Sequence, residues 1–148
     1  MSANFSYEIQ TPTERHVTIG LSGELTAERV SKLESDVFQL LADAMHHLHF
    51  LWDMRGVRRC DLGARGGLQK IQRAIGGKRY RTAFVASRPR IRGVALWVAH
   101  TSGDELARPF ASQAKALDWL EHDVGRVEQI KRDSARLLAR RGGEGRRA

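Results

Sequence analysis

The 148 residues suffice for one domain with its own apolar core, and the 41% hydrophobic and 28% charged content is ordinary for a globular protein. No apolar run approaches the ~20 residues of a membrane helix, the start MSANFSYEIQ lacks the features of a secretory signal, and the single cysteine, Cys60, has no internal disulfide partner, so a reducing cytoplasm is the expected compartment. The net charge of +8 is concentrated in residues 51–100, where 12 basic side chains face 2 acidic ones; such a field attracts anionic partners, although a solvated arginine-rich surface has the same composition.

Residues 5–10 read as a weak extended stretch, and Thr11-Pro12-Thr13 as a turn. In residues 16–23, Val17, Ile19 and Leu21 alternate with Thr18, Gly20 and Ser22, the period of a strand with one buried face. The two stretches are expected to form an antiparallel hairpin. Thr26 is placed to cap a helix, with Glu28 in the first turn, where the helix dipole favours an anion. Val30, Leu33, Val37, Leu40, Leu41 and Ala44 then recur at helical spacing. The apolar run 49–54 suits a central strand covered on both faces.

Residues 55–60 read as a loop, and Asp61 as the cap of a helix with Ala64, Leu68, Ile71 and Ile75 inward; Gly76-Gly77 ends it. The next strand is 80–86. Ser87 is expected to cap a helix with Pro89 in its first turn and Ile91, Val94, Ala95 and Val98 on one stripe. Leu96 and Trp97 lie off that stripe, predicting cover on a second side. The proline-containing segment 107–110 reads as an edge strand, and Ser112 starts a helix with Leu117 and Leu120 inward. Residues 124–141 continue as a basic amphipathic helix with Val127, Ile130, Ser134 and Leu137 on a narrow stripe, and 142–148 as a frayed tail. The order predicts an α/β fold: a mixed sheet of about five strands, with one antiparallel hairpin and then parallel strands, about four helices, and the terminal helix. A domain at 1–122, a helix at 123–141 and a tail at 142–148 follow.

Several segments resemble STAS domains (sulfate transporter and anti-sigma factor antagonist), in particular the SpoIIAA-like branch, whose fold is related to SEC14 lipid-binding domains. Residues 17–26 (VTIGLSGELT) are similar to the opening strand, and Leu51-Trp52-Asp53-Met54-Arg55-Gly56-Val57, ending at Asp61, to the central strand and helix start. Ala83-Phe84-Val85-Ala86 and the stretch 110–120 resemble the later strands and closing helix. The resemblance covers roughly residues 5–122 and implies a regulatory, non-enzymatic domain. In anti-sigma factor antagonists the aspartate matching Asp61 is followed by two small hydroxyl residues, the second being the phosphorylated serine. Here those positions are Leu62 and Gly63, so the resemblance implies a scaffold without the phosphoserine switch.

Enzyme chemistry finds little support. His46, His47 and His49 cluster at a helix–strand junction without a carboxylate or cysteine at ligand spacing, so neither metal nor cofactor is expected. Asp53 ends the central strand, where it serves as a general base or ligand anchor or, in the favoured reading, orders the segment 55–59 through hydrogen bonds. Arg58 and Arg59 beside Cys60 favour its thiolate, but no histidine partner is identifiable. The best anion site is the glycine-rich helix start 63–67 ringed by Arg55, Arg58, Arg59 and Arg65. Lys78-Arg79-Tyr80-Arg81 with Arg88, Arg90 and Arg92 has the basic and aromatic interleaving of a nucleic-acid binder, but no base-reading signature accompanies it. The favoured reading is a regulatory domain that binds an acidic protein partner through Arg55, Arg58, Arg59 and Arg65, aided by the terminal helix. The alternative is a lipid or small hydrophobic ligand in a pocket of Trp52, Trp97 and Trp119, with Leu96 beside it; core packing is the more ordinary role for these side chains. A homodimer is compatible with either.

Overall fold

A computed structural model of the chain describes residues 5–13, 15–45, 47–77, 79–103 and 106–121, with the side chains of residues 79 and 80 excepted. His46, Lys78 and the expected terminal helix at 124–141 lie outside the described residues. The element order is β1 (Ser6–Thr13), β2 (His16–Leu25), α1 (Ala27–Asp43), β3 (Leu48–Cys60), α2 (Leu62–Ile75), β4 (Arg79–Val85), α3 (Pro89–Thr101) and β5 (Ala107–Phe110). A closing helix, α4, spans 113–121. The five strands form one sheet in the order β1-β2-β3-β4-β5. The β1–β2 pair is antiparallel, and the other pairs are parallel. The predicted mixed α/β sheet with its antiparallel opening is what the chain forms.

The alternation in β2 has a direct consequence: Val17, Ile19, Leu21 and Leu25 are buried while their neighbours are half-buried. Their side chains join Phe50, Trp52, Met54 and Phe84 on the sheet face covered by the inner stripes of α1, α2 and α3. The α1 stripe buries Val30, Leu33, Val37 and Leu41, each such side chain contributing about 1.5–3 kcal/mol. Thr26 caps this helix by accepting from Arg29 N, as its position predicts. On the opposite face Leu51, Ala83 and Val85 pack against Ala116 and Leu120 of α4, and Ser112 Oγ accepts from Lys115 N at 3.4 Å.

Four local expectations are corrected. Residues 55–60, expected as a loop, belong to β3, because β2 continues beside them and pairs Gly23 with Val57 and Leu25 with Cys60. Thr11-Pro12-Thr13 lies within β1 rather than in a turn. Ser87 does not cap α3; Arg88 holds that position without a side-chain cap bond, and Pro89 starts the helix. Leu96 and Trp97 are 57% and 41% exposed, so nothing among the described residues covers α3 on a second side.

Candidate functional site

The site lies where β2 and β3 end and α2 and α3 begin. Two register shifts in the β2–β3 pair, between Gly20 and Ser22 and between Gly23 and Glu24, re-aim the last residues of both strands. Gly23 takes φ 87°, a conformation costly for a residue with a Cβ. Past the second shift, Glu24 stands opposite Arg59 and Leu25 opposite Cys60. Asp61 N donates to Leu25 O at 3.1 Å, and Asp61 Oδ1 accepts from Ala64 N at 2.7 Å, starting α2 directly from the strand. Arg88 Nη1 lies 3.5 Å from Val57 O, which brings the start of α3 alongside.

A cleft of about 420 Å³ results, lined by Glu24, Thr26, Asp61 and the arginines 58, 59, 65 and 90, with Ile91 and Val94 at its floor. Arg58, Arg59 and Arg90 are exposed and Arg65 half-buried. Arg65 Nε is buried without a hydrogen-bond partner. Of the two carboxylates in the lining, Asp61 is committed to the cap, and Glu24 stands opposite Arg59. The arrangement is suited to receive carboxylates or other oxyanions, because guanidinium groups supply forked donors.

Of the four arginines expected to act together, three share this cleft and Arg55 does not. Its guanidinium grips Asp53 with two bonds of 2.8 Å and reaches Gln113 Oε1 at 2.7 Å, on the sheet face that carries α4. The hydrogen bonds from Arg55 hold the Asp53 carboxyl below its usual range. Asp53 thus orders the following segment through hydrogen bonds. Arg90 was legible only as part of a basic run; its convergence with Arg58 and Arg59 depends on α3 packing beside α2, which no local pattern encodes.

The glycine-rich helix start has a packing cause. A Cβ on Gly63 would stand 2.7 Å from Ala27 Cβ, and one on Gly67 2.7 Å from Val30 Cγ1. These glycines let α2 approach α1 closely. Cys60 is half-buried, and its thiol is pushed up to about 11, chiefly by burial, against the opposing effect of Arg65. The thiolate expected from neighbouring arginines is therefore not favoured.

The three tryptophans do not share a pocket. Trp52 is 1% exposed in the core, where its ring stacks on Phe84. Trp97 stands on the outer side of α3. Trp119 packs on Phe110 on the other sheet face, with the guanidinium carbons of Arg81 and Arg108 at 4.4 and 5.5 Å from its ring centroid. The two basic runs separate likewise: Arg81 lies near the start of β4, and Arg88, Arg90 and Arg92 follow its end. His47 is exposed and His49 buried, and no group of three metal-ligating side chains occurs among the described residues. No helix among them is long and apolar enough to cross a membrane.

Among solved structures, the chain is similar to the anti-sigma factor antagonist SpoIIAA in its unphosphorylated form, with 18% identity and a TM-score of 0.61 over 79% of this chain and 97% of that one. An uncharacterized Shewanella loihica protein with a SpoIIAA-like fold matches at 20% identity and a TM-score of 0.61, over 81% and 98% of the two chains. An anti-sigma factor antagonist from Mycobacterium paratuberculosis matches at 19% identity and 0.57, over 82% and 99%. No family model and no curated protein matches the chain. The fold is that of a STAS domain of the SpoIIAA-like kind.

Proposed function

We propose that the chain is a non-enzymatic regulatory domain that binds an acidic protein partner through the cleft of Arg58, Arg59, Arg65 and Arg90. The observation that carries this reading is the convergence of four guanidiniums from β3, α2 and α3 on one cleft with an excess of positive charge. The likeness to anti-sigma factor antagonists favours a regulatory role over catalysis. Regulation proceeds without a phosphoserine at the start of α2: Leu62 and Gly63 carry no hydroxyl, and Ala27 occupies the space a side chain at Gly63 would need. The lipid-pocket alternative draws less support, since the polar clefts beside the sheet have no tryptophan in their walls.

The test is affinity capture from the source cell with the wild-type chain and an Arg58→Glu/Arg59→Glu variant, followed by identification of the retained proteins. A partner held by the wild type and released by the variant is expected, because reversing two exposed charges disturbs association while leaving the core intact. Equal retention by both chains would remove the cleft from the reading. Native mass spectrometry on gently extracted protein separates the alternative, which requires a co-purifying lipid.

A further inference from the structure

The outer surface shared by α2 and α3 combines two features. First, neither helix contains a single aspartate or glutamate, while together they carry Arg65, Arg73, Arg90 and Arg92, Lys70 being held by Glu34 of α1 at 2.9 Å. Second, the surface exposes large apolar side chains: Leu62 at 81%, Leu96 at 57% and Trp97 at 41%.

The helices lie side by side, with Arg65 of α2 sharing a cleft with Arg90, Ile91 and Val94 of α3. Toward their other ends, Gln69 Nε2 and Arg73 Nη2 each approach Thr101 O at 3.4 Å. Helical spacing then places Leu62, Gly66, Gln69 and Arg73 on the α2 edge of the seam, and Arg90, Gly93, Trp97 and Thr101 on the α3 edge. Gly66 and Gly93 sit within helices, where glycine weakens the helix relative to alanine. A Cβ on either would meet nothing within 4 Å. Gly63 and Gly67 answer to the packing of α1, but nothing inside the described molecule requires Gly66 or Gly93. By helical spacing they leave a strip without side chains beside Leu62 and Trp97, with Arg73 and Arg90 on its edges.

We propose that this strip docks an acidic amphipathic helix of the protein partner, its apolar stripe on Leu62 and Trp97 and its carboxylates on the flanking arginines. The inference rests on the regulatory, partner-binding reading and specifies the partner's form. Gly66 and Gly93 permit the close approach of a second backbone, as small residues do at helix interfaces. Charge decides among occupants. A second copy would bring this cationic surface against itself. The chain's own residues 122–148 carry 8 basic and 4 acidic side chains and meet the same repulsion. An acidic helix with leucine-like anchors satisfies both the apolar and the charged features.

The probe is a synthetic peptide of about 18 residues with leucines at i, i+3, i+4 and i+7 spacing and glutamates elsewhere, titrated into the full chain. Tryptophan emission and calorimetry report binding. Saturable binding with a blue shift that disappears in Trp97→Phe is expected. Trp97→Glu should weaken binding at least about tenfold without lowering the melting temperature. Gly93→Met should weaken it while leaving the melting temperature equal or higher, a combination that a structural role for the glycine would not produce. Absence of saturable binding overturns the proposal. So does equal binding by a scrambled peptide of the same composition, self-association of the free chain through Trp97, or preference for a peptide of residues 122–148. If capture of the natural partner depends on Arg58 and Arg59 but is untouched by Trp97→Glu, the helix-docking inference falls and the basic-cleft reading stands.

Discussion

The Cβ position of Gly63 lies 2.7 Å from the Cβ of Ala27, the first residue of α1. This contact sets how closely the N-terminal ends of α1 and α2 approach, and so how β3 and α2 deliver Arg58, Arg59 and Arg65 to the cleft. A serine at position 63 would have to displace a helix start. Gly63→Ser is expected to cost about 1–3 kcal/mol of stability by overpacking, measured by urea denaturation. Ala27→Gly in the same chain should recover part of that loss in a double-mutant cycle; strictly additive effects would show that the two positions do not compete for space.

Trp52 and Gln72 form the core's polar link. Trp52 Nε1 donates to Gln72 Oε1 at 3.0 Å, and Gln72 Nε2 donates to Thr82 Oγ1 at 3.0 Å, all within the buried interior. Gln72→Leu leaves the indole N–H buried without its acceptor, which costs about 1–3 kcal/mol. Chemical denaturation should show that loss, with a changed Trp52 emission in the native state. Unchanged stability would mean that the space refills without penalty.

His49 gives the fold an acid sensitivity. Burial first, then the charges of His16, Arg81 and Arg15, lower its pKa from 6.5 to about 4. Its folded value is depressed, so the unfolded chain binds the proton more readily between those two pH values. Stability is expected to be constant from this group above about pH 6.5, to fall as pH drops toward 4, and to level off below; the total is about 3 kcal/mol. His16 is lowered by burial too and adds in the same direction. His49→Gln should flatten the slope in melting temperature against pH. A slope of equal size in that variant would assign the effect elsewhere.

Cys60 should be a slow nucleophile. With its thiol pushed up to about 11, chiefly by burial, alkylation by iodoacetamide at pH 8 is expected to run well below the rate of a free cysteine, rising only in strongly alkaline solution. Rapid modification of the native chain at pH 8 would contradict that environment.

Local patterns were sufficient for much of this architecture. The two-residue period of Val17, Ile19 and Leu21 and the helical stripe from Val30 to Leu41 reflect which side each backbone can bury. Thr26, Asp61 and Ser112 are legible as caps because a short side-chain oxygen reaches backbone donors two or three residues on. Other features were set by partners remote in sequence. Residues 55–60 carry loop-like chemistry, yet they are strand because β2 offers them a ladder. Arg55 is adjacent to the other arginines in the chain, but strand geometry and Asp53 turn it toward Gln113. Arg90 joins Arg58 and Arg59 only because α3 lies beside α2. The sequence by itself determined the order of the elements and the inward faces of β2, α1, α2 and α3, since periodicity and capping act over a few residues. Only the tertiary structure decided which arginines converge, why Gly63 must be glycine and that Trp97 is left exposed, since these depend on distances between elements far apart in the chain.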